Sequence, residues 1–81
     1  MTTEELQRLE QGCRLDERIK QTMSDIVDFG LAPNLTIGFF KNGQWFQVRN
    51  LDDHFMAELR HNVIQHLEKR KEDYRQQFAA L

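Results

Sequence analysis

The chain has 81 residues, with 11 basic and 13 acidic side chains, a formal net charge of −2 and one cysteine. That length fits one domain, one cysteine excludes an intrachain disulfide, and no clustered excess of Lys and Arg marks a nucleic-acid charge pattern. No run of 18 apolar residues occurs, so an apolar membrane-spanning helix is excluded as well.

A chain this short buries only about 60–65% of the surface its unfolded form exposes. Its stability must come from a well-packed core or from association. The start, MTTEELQRLE, is charged from its fourth residue and has no apolar signal-peptide core. Together with the single cysteine, this makes a cytoplasmic location the expectation. Residues 1–40 carry 4 basic and 7 acidic groups (−3), and residues 41–81 carry 7 and 6 (+1). The asymmetry is modest.

Thr2 to Glu5 spells a T-x-x-E capping box, a helix start. Apolar residues then recur at Leu6, Leu9 and Cys13, and again at Leu15, Ile19, Met23, Ile26 and Val27. At 100° per residue the two sets centre more than 90° apart. Gly12 sits near the phase shift. One long helix over about 3–29, weakened at Gly12, is expected. A break there, or a straight helix whose halves face different neighbours, are the alternatives. In DFGLAP, Gly30 reads as the left-handed residue that ends the helix, and Pro33 blocks continuation.

Next comes NLTIGFFKNGQWFQVRN. Asn42-Gly43 suits a two-residue type I′ turn. The turn sets the register: Lys41 faces Gln44, Phe40 faces Trp45 and Phe39 faces Phe46. Strands over about 35–41 and 44–49 then place Leu35, Ile37, Phe39, Phe46 and Val48 on one face. Thr36, Gly38, Phe40, Trp45, Gln47 and Arg49 share the other. Asp52 can cap a second helix over about 52–79, with Leu51 and Met56 as a hydrophobic staple. The apolar stripe of that helix runs Phe55, Leu59, Val63, Leu67, Tyr74, Phe78 and Leu81.

The fold class expected is α+β in the order α-β-β-α: two long antiparallel helices with a two-stranded β-hairpin packed on one end. Such a body is thin. The far halves of the helices have only each other for cover, so a homodimer with a four-helix core is expected.

Phe40 and Trp45 pose the functional question. As a cross-strand pair they steady the hairpin by roughly 0.5–1 kcal/mol. Trp beside Arg49 and Lys41 is also the composition of an interaction hot spot. Gly38 leaves room there for a partner to approach. Burial in a self-interface is the third reading. Partner-binding residues are therefore expected at Phe40, Lys41, Trp45 and Arg49.

Other constellations are weaker. His54, Glu58 and His61 share one helix face with Gln65, Glu68 and Glu72, but it is the polar face, and solvated i, i+4 pairs explain it. No metal or other cofactor is expected. Ser24 sits in a helix without a strand-turn-helix elbow. Cys13 lies on an apolar stripe, and no Gly-rich phosphate loop occurs. The chain is not read as an enzyme. EKRKEDYRQQF interleaves four basic residues with three acids. Lys69, Arg70, Lys71 and Arg75 there supply the alternative reading, nucleic-acid contact aided by the hairpin.

GFFKNGQWFQV and the following LDDHFMAELRHNVIQHL together resemble the small head-completion protein W family of lambda-like bacteriophages. The likeness is in element order and covers about a third of the chain. It departs in the longer C-terminal helix and the Phe40–Trp45 pair. It implies a phage or prophage accessory protein with a protein partner, and it carries over no functional residue. The expected function is a non-enzymatic protein-interaction module acting as a homodimer.

Overall fold

A computed structural model describes residues 2–81. The elements run α1 (Thr3–Leu31), β1 (Gly38–Lys41), β2 (Gln44–Gln47) and α2 (Asp53–Ala79). This is the expected α-β-β-α order.

The helix starts form as their residue types dictate. The Glu5 backbone N–H donates to Thr2 Oγ1 at 3.1 Å, and the Thr2 N–H donates back to Glu5 Oε2 at 3.4 Å. The Phe55 N–H donates to Asp52 Oδ1 at 2.6 Å, so Asp52 is the cap of α2. Each bond satisfies one of the amides that a helix N-terminus leaves without an internal partner.

The end of α1 differs from expectation. Gly30 lies inside the helix and is not left-handed; α1 continues through Leu31 and stops at Ala32, before Pro33. Proline forces its predecessor out of the helical region, and Ala32 has ψ 122°. The last carbonyls are held by a residue 30 positions away. Arg60 Nη1 donates to Phe29 O at 2.7 Å and to Gly30 O at 3.4 Å. Its guanidinium lies 5.7 Å from the Phe29 ring centroid. The last turn of α1 has no basic residue of its own, so Arg60 also supplies the positive charge that a helix C-terminus favours.

Helix α1 is continuous past Gly12. Gly12 and Gly30 sit where α2 comes close: a methyl built on Gly12 would stand 3.6 Å from Leu81 Cδ1, and one on Gly30 3.6 Å from Ile64 Cδ1. These contacts, with Arg60 at Phe29, make the helices antiparallel neighbours. Gly12, Leu15, Ile19, Thr22, Ile26 and Phe29 form the side of α1 that is buried or half-buried. Their spacing alternates three and four, as in a coiled-coil seam. On α2 the half-buried residues include Met56, Leu59, Val63, Ile64, Leu67 and Tyr74.

Two further expectations need correction. The apolar series Leu15, Ile19, Met23, Ile26 and Val27 does not share one buried side: Met23 and Val27 stand 44% and 56% exposed, and Thr22 takes the core position. Its hydroxyl donates to Arg18 O at 2.7 Å, so a polar group is buried without an orphaned donor.

The second correction concerns the hairpin. It leaves one end of the helix pair, but neither strand packs on either helix. The arms on either side carry it, and Val48 N donates to Ile37 O at 2.7 Å as the last rung. Beyond that the strands part, earlier than the 35–41 and 44–49 expected. Asn50, at φ 63°, turns the chain toward the α2 cap.

The molecule is therefore long and thin, 57 × 30 × 15 Å, with a radius of gyration of 17.7 Å. A compact domain of this length would have about 12 Å. Its accessible surface is 6862 Å², where a compact monomer of its mass exposes about 5,100 Å². Among the described residues only Leu15 and Thr22 are buried. One chain does not close a core.

Candidate functional site

The hairpin is built from its turn outward. Asn42 (φ 53°) and Gly43 (φ 77°) both take positive φ, which the type I′ turn requires. The register is the expected one: Lys41 opposite Gln44, Phe40 opposite Trp45, Phe39 opposite Phe46 and Gly38 opposite Gln47. Both faces carry an aromatic pair. Phe39 and Phe46 stack at 5.6 Å between centroids, and Phe40 meets Trp45 edge to face at 5.2 Å.

Neither pair is covered. Phe40 is 74% and Trp45 52% exposed. The face expected to enter the core is open too, with Phe39 and Phe46 at 51% and 41%. Alternation assigned the faces correctly. Among the described residues, nothing covers either aromatic pair.

Gly38 does not leave room for a visitor, as the sequence suggested. The Trp45 indole occupies that room. A methyl on Gly38 would collide with the Phe46 carbonyl and the indole, whose Cε2 would lie 2.6 Å away. The missing side chain lets the indole lie against Gly38, which fixes its direction. Lys41 and Arg49 are exposed at the turn and just past β2. Neither enters an ion pair within the described residues. Two cations thus flank the four aromatic rings.

The residues considered for nucleic acid are not gathered in one place. Lys71 pairs with Glu68 at 2.7 Å, and Arg70 donates to the Tyr74 hydroxyl at 2.7 Å with its guanidinium 5.1 Å from that ring. Lys69 and Arg75 are exposed on different sides of α2. His54 pairs with Glu58 at 3.0 Å on the exposed face of α2. Ser24 donates to Asp28 at 3.4 Å, a weak contact along one helix face.

A second apolar surface lies along α1, and the sequence reading did not recognise it as one surface. Leu6, Leu9, Met23, Val27 and Leu31 are 44–78% exposed, and Cys13 is exposed with them. At the free end of the helix pair, Leu9, Gly12, Cys13, Phe78 and Leu81 line an open hollow of about 690 Å³. In the middle of the stripe Lys20 Nζ meets Asp16 Oδ2 at 2.9 Å. That hydrogen bond and the carboxylate's charge raise the Lys20 ammonium above its usual pKa.

No described helix is long and apolar enough to cross a membrane. Comparison with protein-family models, with curated proteins and with solved structures returned no match.

Proposed function

We propose that this protein is a non-enzymatic binding module: the helices pair two copies of the chain, and the hairpin, with Phe40, Trp45, Lys41 and Arg49, engages a protein partner. One observation carries the reading. A four-ring aromatic hairpin stands clear of its own helices with both faces open.

An isolated two-stranded hairpin is marginal in water. Exposed aromatic surface of this kind costs solubility, and in monomeric proteins such patches mark contact sites. Trp with neighbouring Arg is the composition of interface centres. Each strand also keeps one open edge, so an extended peptide can add as a third strand and lay alternate apolar side chains against the rings. The dimer half of the reading rests on area. The surface exceeds that of a compact chain by about 1,700 Å², and half of that excess already matches the ~800 Å² per partner of a standard interface. A phage or prophage setting enters through the resemblance alone.

The test is selection of peptides from a displayed random library on the wild-type protein. Binders are expected to lose at least about tenfold in affinity on Trp45→Ala, while far-UV circular dichroism stays helical. A library giving only binders indifferent to both Trp45→Ala and Phe40→Ala removes the hairpin from the reading.

A further inference from the structure

The exposed stripe of α1 repeats the buried one, displaced by a single residue. The buried stripe is Gly12, Leu15, Ile19, Thr22, Ile26 and Phe29. Adding one gives Cys13, Asp16, Lys20, Met23, Val27 and Gly30, and the same spacing extends back to Leu9 and Leu6. One residue is a rotation of 100°. A helix with two seams about a right angle apart is a helix at the corner of a four-helix bundle, with a neighbour on each seam. Helix α2 fills the first seam. Within the described residues, nothing fills the second.

Its sequence specifies the occupant. Antiparallel pairing of the stripe with itself about an axis near residue 18 sets Asp16 against the partner's Lys20 and Lys20 against the partner's Asp16. The same register sets Cys13 against the partner's Met23, and Leu9 against the partner's Val27. Leu6 falls between the partner's Gly30 and the partner's Leu31. Every apolar residue meets an apolar one or the glycine, and every charge in the seam meets its opposite. A twofold interface demands that self-complementarity. A parallel pairing would instead set Asp16 on Asp16 and Lys20 on Lys20. One like-charge meeting remains near the axis, Glu17 with its own symmetry mate. It lies on the wet rim, where solvent screening keeps the cost small.

We infer that the partner of this face is a second copy of the chain, joined by an antiparallel α1–α1 seam centred on residue 18 and held in register by two reciprocal Asp16–Lys20 pairs. The inference rests on the dimer proposed above and gives it a geometry. Each hairpin leaves the end of its α1, 13 residues from the axis, so the two sit about 40 Å apart on opposite ends. The dimer then presents two separate aromatic hairpins, a geometry for bridging two partner molecules.

The native Cys13 makes a disulfide test available. Ten residues of helix span about 15 Å, far beyond the ~7 Å Cα separation a disulfide tolerates. In the inferred register the two native thiols are that far apart, and so are positions 13 and 23 of one chain. Mild oxidation should leave the wild type uncrosslinked. The same treatment of Met23→Cys, at an exposed position, should give a covalent dimer, with mass spectrometry linking Cys13 to the thiol introduced at position 23 of the other copy. Lys20→Asp should raise the dimer Kd by about tenfold or more at low salt, and adding Asp16→Lys to it should restore affinity. A wild-type Cys13–Cys13 disulfide overturns the register. A dimeric Met23→Cys protein that resists crosslinking overturns the seam and leaves the dimer standing. A monomer by light scattering overturns both.

Discussion

Gly38→Ala puts the hairpin argument under the most specific strain. The added methyl would meet the Phe46 carbonyl and the Trp45 indole, with Cε2 at 2.6 Å. Moving the indole relieves only its own clash, and the carbonyl is backbone of the paired strand, so the indole must leave and the strands must also shift apart there. Overpacking of this kind costs about 1–3 kcal/mol. Displacing Trp45 also gives up its edge-to-face contact with Phe40, 5.2 Å between centroids, worth about 0.5–1.5 kcal/mol. The combined loss, about 2–4 kcal/mol, exceeds what a two-stranded hairpin of this size has in hand. Because neither strand packs on a helix, the damage should stop at the hairpin. Trp45 is the only tryptophan, so intrinsic fluorescence reads this site alone. Emission should shift to the red as the indole gains water, while the helical circular dichroism and its melting midpoint hold. An unchanged spectrum would refute the packing of Trp45 over Gly38. A collapse of the helical signal would refute the independence of hairpin and helices.

The helical glycines should behave in the opposite way. Gly12→Ala and Gly30→Ala place a methyl at ordinary contact distance, 3.6 Å from Leu81 Cδ1 and from Ile64 Cδ1. With helical backbone at both, each should raise stability by up to about 1 kcal/mol in chemical denaturation, and a loss at either would show tighter packing than described. Arg60→Met keeps the apolar stem and removes the donor to Phe29 O and Gly30 O. A half-buried charged hydrogen bond of this kind is worth about 1–3 kcal/mol. Urea unfolding should show a drop in that range, and hydrogen exchange should show fraying confined to the last turn of α1 and the Pro33 arm. An unchanged midpoint would remove Arg60 as the cap.

The parts legible in the sequence were those fixed by local chemistry. Asn42-Gly43 dictates positive φ at two successive residues, and from that alone the register and both aromatic pairs follow. Thr2 with Glu5, and Asp52 with Phe55, are caps closed within four residues of chain. Gly30 misled because glycine followed by an apolar residue and proline fits two different helix stops. The steric block at Pro33 acts wherever the helix ends, whereas glycine merely permits left-handed backbone. The division of α1 into a buried and an exposed apolar stripe was hidden for another reason. Hydrophobicity ranks Met23 above Thr22, but Thr22 silences its hydroxyl on Arg18 O and so can face α2. Arg60 at Phe29 joins residues 31 apart, and no local pattern announces it. Alternation put Gly38 on the aromatic face, yet the direction of an indole depends on side-chain torsions that spacing does not encode.

The central claim is a division of labour, with helices for self-association and hairpin for a partner. Molar mass by light scattering on a sizing column tests it most directly, for the wild type and for Phe40→Ala with Trp45→Ala, over a hundredfold concentration range. The chain mass is 9.7 kDa. The account predicts twice that for both proteins at the upper concentrations, with the same midpoint of dissociation. A wild type that stays at 9.7 kDa, or a double variant that alone falls to it, would contradict the account. The first result denies the dimer, and the second makes the hairpin the self-interface.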